Sequence, residues 1–355
     1  MIAETEALQG SEARELNLLK AIQACHRRWK YSIQQGCDDP TGCHNIFGYL
    51  QSNAEFVLKT YNVFESYDET LPHVIFIGKT ENLSKAICYG GQVIGLDATF
   101  GITCYKTYSL FAMIGRCNGG AYPLGYFIAS SKGETAVKEG LLLFQLAATE
   151  ILQSRQLLPS EEKFSPMAVC IDTDDAENNA VRHVFPTATI ILCHYHFMTN
   201  MVNEVRANRH GLSAENITSL MSIIRLLVSA TTVSDFVLQL ENMRNLSATF
   251  YNYFETNYLS ERWISTFSEV NRQHMPLSVQ RLCRSNMLTE VSFRTLKYIV
   301  FDGYVNKRLD YLMYSLCFKL YPYFKKRTEY ISEKQGRPRF LVSIDVKNVG
   351  TMLHK

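Results

Sequence analysis

The sequence predicts an α/β protein whose mixed sheet forms in the order β-β-β-α-β-α-β, with helical flanks and a helical insertion. Three runs of β-branched and aromatic residues, separated by short glycine-containing turns, predict an antiparallel meander: 93–100, 108–116 and 122–130. A pattern of helical period covers 134–154, and strands are predicted at 166–172 and 189–197 with a helix between them. A meander followed by such crossovers gives one sheet whose later strands run parallel and whose faces are covered by helices.

The chain divides into five predicted segments. They are a mainly helical region at 1–90, the first part of the sheet core at 91–199, a helical insertion at 200–283, the final helices of the core at 284–335, and a strand-containing segment at 336–355. The first segment is predicted to be helical from amphipathic patterns at 12–33 and 48–64. The last contains the apolar run 340–347, which is typical of a strand.

The composition is that of a globular protein, with 46% hydrophobic and 20% charged residues in a chain of 355. The polar, acidic start is unlike a signal peptide, and no apolar run approaches the ~18 residues that a membrane span requires. Ten cysteines are scattered without regular spacing, which favours buried thiols in a reducing compartment over disulfides. We therefore expect a soluble, non-secreted protein without membrane contact.

Basic residues are concentrated towards the C-terminus. Residues 281–355 contain 15 Lys and Arg against 6 Asp and Glu, although the whole chain has a formal net charge of only +2. Aromatic residues interleave there with Lys325, Lys326 and Arg327. This combination favours a DNA-contacting surface, because rings stack on bases and cations neutralise phosphates. The alternative is a solvated helix face.

Three acidic residues stand where an α/β sheet would hold them at one edge. Asp97 and Asp172 each close a predicted strand, and Glu290 lies in a predicted helix after the insertion. Carboxylates suit hard divalent cations such as Mg²⁺ or Mn²⁺, and two such ions ~4 Å apart can perform phosphodiester cleavage and transfer. The pattern therefore predicts a two-metal site in which Asp97, Asp172 and Glu290 are both metal ligands and catalytic residues.

Each acid also has a purely structural alternative. Asp97 could cap a turn, Asp172 could accompany the helix-capping residues that follow it, and Glu290 could pair with Arg294 one helical turn away. A phosphatase with paired aspartates is a rival enzyme class, suggested by Asp172 and Asp174 after an apolar strand. That motif normally follows the first strand of its domain, whereas three predicted strands precede it here.

Three blocks of the sequence share their order and spacing with a known family. They are 96–100 with 108–110 and 123–126, then 171–176 with 180–181, 184–186 and 192–196, and finally 286–297. Together they resemble the Mutator-like element (MULE) transposase domain. The second block is the most specific, because the spacing from Asp172 through Ala176 to Phe185 and Pro186 is kept, although Ile171 stands where the family usually has threonine.

The resemblance covers roughly residues 97–297 and implies an RNase H-like DDE core with a helical insertion before its glutamate. It implies DNA cleavage and strand transfer with Mg²⁺ or Mn²⁺, carried by Asp97, Asp172 and Glu290. The implied partners are DNA, as transposon ends and target, and further copies of the chain, because two element ends must be held together. The implied location is the nucleus.

Three further residues are singled out by the same resemblance. Cys193 and His196 match a Cys-x-x-His pair that recurs in the family, where it is thought to organise the site or the target DNA. Two residues alone do not make a zinc site, since zinc takes four ligands, so structural, substrate-contacting and metal-binding roles stay open. Trp263 falls in the insertion, where related transposases place a tryptophan against DNA. A core tryptophan is the alternative.

The chain departs from the family outside these blocks. A complete family member would carry a zinc-binding DNA-recognition domain upstream and a SWIM-type finger downstream, and neither is complete here. Cysteines and histidines at 25–44 match no finger spacing. A fragment, a truncated copy or a domesticated DNA-binding regulator without catalysis therefore remains an alternative to an active transposase core.

Overall fold

The computed structural model describes residues 39–63, 68, 70–86, 92–117, 120–207, 209–273, 275, 286–305 and 307–332. The helix predicted at 12–33 and the strand predicted at 340–347 lie outside these residues. In the part of the chain that is described, no helix is both long enough and apolar enough to cross a membrane.

Seven strands of the described residues form one mixed sheet, and helices flank it on both faces. The strands are β1 Phe56–Tyr61, β2 Val74–Lys79, β3 Val93–Thr99, β4 Ser109–Cys117, β5 Gly120–Ala129, β6 Ala168–Ile171 and β7 Thr189–Leu192. The α-helices are α1 Asp39–Ser52, α2 Thr80–Leu83, α3 Glu134–Ser154, α4 Asp175–Val184, α5 His194–Arg206, α6 Ala214–Ser229, α7 Val233–Leu246, α8 Ala248–Tyr258, α9 Met287–Arg294, α10 Leu309–Ser315 and α11 Tyr321–Ser332. A 3₁₀ turn lies at Glu269–Arg272, and π-helical turns at Thr295–Val300 and Leu316–Leu320 follow α9 and α10.

The strands lie side by side in the order β1-β2-β5-β4-β3-β6-β7. β3, β4 and β5 form the predicted antiparallel meander, and β6 and β7 follow β3 in parallel. This confirms the predicted α/β class and mixed sheet. The order of the last five strands also agrees with the predicted RNase H-like topology.

Two sequence predictions need correction. The segments Phe56–Tyr61 and Val74–Lys79 were expected within a mainly helical region, but they are the antiparallel strands β1 and β2, which extend the sheet beyond β5. The strand predicted at 189–197 ends at Leu192, because Cys193 becomes the N-cap of α5 with φ −60° and ψ 116°. His196 therefore lies in the first turn of a helix and not on a strand.

Side chains alternate between the two faces of the sheet, and each face packs against its own helices. Leu96 and Phe111 face α3, α4 and the insertion, where they join the larger apolar core. Ala112 and Tyr126 face the opposite way, against α1 and the helices from α9 to α11. The second face carries the helix of Glu290, so the fold sandwiches the sheet between two helical layers.

The helices α6, α7 and α8 lie between α5 and α9 in the chain, within the segment 200–283 for which a helical insertion was predicted. They pack on one another and on α5 through a shared apolar core that includes Leu220, Phe250 and Phe267. Serine and threonine caps begin these helices: Ser213, Thr232 and Ser247 each accept a hydrogen bond from a backbone N–H of the first turn. The sequence thus marks each helix start locally, and the packing holds the three together.

Candidate active site

Asp97, Asp172 and Cys193 come to one edge of the sheet because each lies at the end of one of three neighbouring parallel strands. β3 pairs with β6, and β6 pairs with β7, all in the same direction. The ladder continues past the strand ends, since the N–H of Cys193 donates to the carbonyl of Ile171 at 2.7 Å. Parallel strands that end together bring their terminal side chains together, as the sequence predicted.

The helix of Glu290 is seated on β3 at an unusually close approach. A Cβ added at Gly95 would lie 2.7 Å from Thr289 Oγ1 and 2.9 Å from Asn286 Oδ1, so glycine leaves room for these two side chains at the start of α9 as they are placed. Asn286 then fastens the helix to the strand ends. Its Nδ2 donates to the carbonyl of Leu96 at 2.7 Å and to Asp172 Oδ1 at 3.4 Å.

The His196 ring lies between Asp172, directly after β6, and Glu290, on α9. Its Nδ1 lies against Asp172 Oδ1, and its Nε2 lies 3.4 Å from Glu290 Oε1. Asp97 adjoins them from the neighbouring strand, and its charge interacts with those of Asp172, His196 and Glu290. The structure therefore brings the three predicted acids into one cluster, with an imidazole among them. Their catalytic and metal-binding roles stay predictions.

Two carboxyl groups of the cluster have raised pKa values, which favours their protonated forms. Burial, and to a smaller extent the neighbouring charge of Asp172, raises the pKa of Asp97 to about 8. The backbone N–H of Ala98 donates to Asp97 Oδ1 at 2.7 Å, and this hydrogen bond opposes the rise only in part. Burial also raises the pKa of Glu290. A proton or a cation is needed to hold these carboxylates together at neutral pH, because like charges in a low dielectric repel strongly.

Cys193 and His196 form a charge pair at the start of α5. Hydrogen bonding from Cys170, and to a smaller extent from His196, lowers the pKa of the Cys193 thiol to about 4. Hydrogen bonding to the Asp172 carboxylate, and to a smaller extent to the Cys193 sulfur, raises the pKa of His196 to about 11. The N–H of Asn286 also donates to the Cys193 sulfur at 3.2 Å. These opposite shifts favour a thiolate at Cys193 and an imidazolium at His196.

The ligand atoms of Asp172, Cys193 and His196 lie within 4.8 Å of one another, a spacing that could hold a metal ion. Carboxylate, thiolate and imidazole are ligands that zinc takes. The Cys193 sulfur, however, is buried and already occupied by hydrogen bonds from Asn286, Cys170 and His196. This geometry favours the structural role among the three that the sequence left open for Cys193 and His196.

The carboxylates themselves fit a hard divalent cation. Glu290 Oε1 is buried and accepts no hydrogen bond, although the His196 ring is close by. No lysine or arginine among the described residues forms an ion pair with Asp97, Asp172 or Glu290. An under-satisfied oxygen and a raised carboxyl pKa are both expected where oxygen ligands are gathered for Mg²⁺ or Mn²⁺.

Sequence reasoning missed a fourth acid beside the site. Glu177 is buried on α4. This burial, and to a smaller extent the charge of Asp172, raises the pKa of the Glu177 carboxyl well above its ordinary range. Its carboxylate takes a hydrogen bond from the backbone of Asp172, and its Oε2 has no partner. The spacing of Asp174 and Glu177 is that of a helix-capping box, and Asp174 is indeed the N-cap of α4. The capping pattern thus concealed the contact of Glu177 with Asp172, five residues earlier in the chain.

Trp263 lies next to the site but is mostly enclosed. It is 8% exposed and packs in the larger apolar core. It also lines a polar cavity of about 960 Å³ that reaches Thr173 and Asn200, directly after Asp172. Trp263 is therefore a core residue that also lies near the acids. A contact of Trp263 with DNA stays a prediction.

Lys325, Lys326 and Arg327 lie at the opposite edge of the sheet from the acids. All three are exposed on α11, and Lys325 Nζ lies 3.7 Å from Glu81 Oε2. Glu81 follows the end of β2, and three antiparallel steps separate β2 from β3. β2 therefore ends at the edge where β3 begins. The structure does not bring this basic cluster to the candidate active site.

The fold and the site together define an α/β protein of RNase H-like strand order, with a carboxylate cluster where its central parallel strands end. The model of the MULE transposase domain family matches residues 93–200, a range that contains Asp97, Asp172, Cys193 and His196. The resemblance inferred from the motifs is thereby confirmed for this part of the chain, and it indicates a transposase-related function. No curated protein matches the chain.

Proposed function

We propose that the chain is the catalytic core of a MULE-type DDE transposase, which cuts DNA and joins the cut end to a target. The observation that carries the proposal is the meeting of three distant segments at one sheet edge: Asp97 on β3, Asp172 after β6 and Glu290 on α9. The match of residues 93–200 to the MULE transposase domain supports the same assignment.

The geometry suggests a role for each residue. A bound pair of Mg²⁺ or Mn²⁺ ions would supply an activated water or 3′-hydroxyl and stabilise the leaving oxygen. Asp97 on β3, Asp172 directly after β6 and Glu290 on α9 would hold these ions as carboxylate ligands. Asn286 fixes the distance between helix and strands through its bonds to Leu96 and Asp172.

His196 balances the negative charge of the cluster from one side. Because it contacts both Asp172 and Glu290, its imidazolium keeps these two carboxylates oriented while they are not fully neutralised. Asp97 must lose its proton before the set can bind two divalent ions, since metal ligands act in their deprotonated form. The proposed partners are DNA and a second copy of the chain, and the proposed location is the nucleus.

The proposal is tested by nicking of supercoiled DNA with Mn²⁺. Asp97→Asn, Asp172→Asn and Glu290→Gln should each abolish nicking while leaving the fold intact, because the amide keeps the shape but loses the charge that holds the ions. Asp235→Asn, on the exposed start of α7, is the matched control and should nick like the wild type.

Undiminished nicking by Asp172→Asn would refute the catalytic assignment. A wild-type protein that binds DNA but never nicks it, with either metal, would instead support a domesticated DNA-binding regulator.

A further inference from the structure

An exposed group of aromatic rings and lysines lies just beyond the acid-bearing end of β3. Its rings belong to Phe100, Tyr298 and Tyr304, which are 53%, 66% and 75% exposed. Lys132 Nζ lies 5.8 Å from the ring centre of Phe100, and Lys307 Nζ lies 6.0 Å from that of Tyr304. We call these five residues the aromatic edge. Rings this open have faces available to a ligand.

Backbone pairing joins the two loops that carry Phe100 and Tyr304. Thr103 and Lys307 form an isolated parallel bridge. The N–H of Cys104 donates to the carbonyl of Lys307 at 2.9 Å, and the N–H of Lys307 donates to that of Ile102 at 2.7 Å. Phe100 and Tyr304 each lie three residues before the bridged pair, so both loops enter the bridge from the same side.

The aromatic edge is close to the candidate active site. Phe100 follows Asp97 by three residues, a distance of at most ~10 Å along an extended chain. On the other side, Glu290, Arg294 and Tyr298 recur every four residues along α9 and its π-helical extension, and Arg294 and Tyr298 are exposed. Rings of the aromatic edge therefore lie within three residues of Asp97 along β3 and within about two helical turns of Glu290 along α9 and its extension.

The charges beside the rings are those that a polyanion requires. Between 294 and 307 the chain carries Arg294, Lys297 and Lys307 against one acid, Asp302, and the loop at 100–108 carries a lysine and no acid. The cluster of carboxylates next to them would repel an acidic ligand unless cations stood alongside. Exposed rings with interleaved cations are the combination that holds single-stranded nucleic acid, whose bases stack while its phosphates pair with lysines.

We propose that the aromatic edge stacks unpaired nucleotides of the DNA strand next to the bond that is cut. The proposal rests on the proposed function, because it takes DNA as the substrate. It adds that the strand is unpaired there, since a paired base within a duplex has no open face for a ring. A duplex would contact the lysines through its phosphates alone.

The test compares single-stranded and duplex DNA of one sequence by fluorescence anisotropy, with the full chain, in EDTA and at low salt. Tyr304→Ala and Phe100→Ala should each weaken binding of a labelled strand of about 16 nucleotides by roughly five- to a hundredfold. Duplex affinity should change less than about twofold. Tyr304→Phe keeps the ring and should bind like the wild type.

Leu238→Ala is the control, because Leu238 is another exposed apolar side chain, 50% exposed on α7 and outside both the aromatic edge and α11, and its loss should leave both affinities unchanged. The proposal is overturned if the wild type does not bind the single strand, if Tyr304→Ala and Phe100→Ala bind it normally, or if they lose duplex and single-strand binding equally.

The binding assay separates this proposal from the catalytic one, because it contains no metal. A protein that shows the stacking effect but never nicks DNA refutes the catalytic core and leaves only the binding of unpaired nucleotides by the aromatic edge standing. A protein that nicks DNA while Tyr304→Ala and Phe100→Ala bind the single strand normally refutes the aromatic edge alone.

Discussion

The close seat of the Glu290 helix on β3 makes Gly95→Ala the sharpest test of how the site is assembled. The new methyl group would lie 2.7 Å from Thr289 Oγ1, whereas an ordinary contact begins at 3.4 Å, so the Thr289 side chain, or α9 together with it, must move by roughly 0.7 Å. Gly95 does not have a left-handed φ, and alanine therefore adds no backbone strain. The whole effect should come from the contact.

Two magnitudes follow from this displacement. Overpacking of this kind costs about 1–3 kcal/mol of unfolding free energy. Where α9 moves and shifts Glu290 by a distance approaching 1 Å, nicking should fall by on the order of tenfold to a hundredfold, because misplacement of a catalytic group on that scale has effects of this size. Mn²⁺ affinity should fall as well, since Glu290 would no longer reach the ions held by Asp97 and Asp172.

The assays are urea unfolding, calorimetric Mn²⁺ binding and DNA nicking. Gly48→Ala is the control, because nothing lies within 4 Å of the added methyl group in α1, and this change should stabilise the helix by about 0.5–1 kcal/mol. The double variant Gly95→Ala/Thr289→Ala removes the clashing hydroxyl and should recover part of the loss. Wild-type stability together with wild-type Mn²⁺ affinity in Gly95→Ala would refute the reasoning.

Two further predictions concern charge. Asp97→Asn should raise the unfolding free energy of the metal-free protein at pH 7 by up to about 4 kcal/mol, because the pKa of Asp97 rises from 3.8 to about 8 on folding and the wild type loses stability as the pH rises above 3.8. Urea unfolding in EDTA should show the gain shrinking towards pH 4, and a variant less stable than wild type at pH 7 would contradict it. Charge reversal of Lys325, Lys326 and Arg327 should flatten the dependence of log Kd for DNA on log salt by up to ~2–3 units if all three contact phosphates. Nicking at saturating DNA should not change, because this cluster lies at the opposite edge from the acids, and an unchanged salt slope would mean that it only solvates α11.

Local patterns were enough to predict the central part of the fold. The meander, the crossover helices and the strand ends at Asp97 and Asp172 were predictable because each run is long, apolar and bounded by turn residues. The hairpin at 56–79 was missed, since two six-residue strands gain their stability by pairing with each other and with β5, and a helical pattern in the flanking sequence masked them.

The sequence by itself determined that the site is built from carboxylates. The positions of Asp97, Asp172 and Glu290 in the predicted order of strands and helices already placed these three acids at one edge of the sheet. Only the tertiary structure decided their neighbours. His196 between Asp172 and Glu290 and Asn286 across two strand ends arise from packing between segments distant in sequence. Strand direction likewise placed Lys325 at the far edge. Such contacts depend on how sheet and helices meet in space, and no local pattern of residues encodes that meeting.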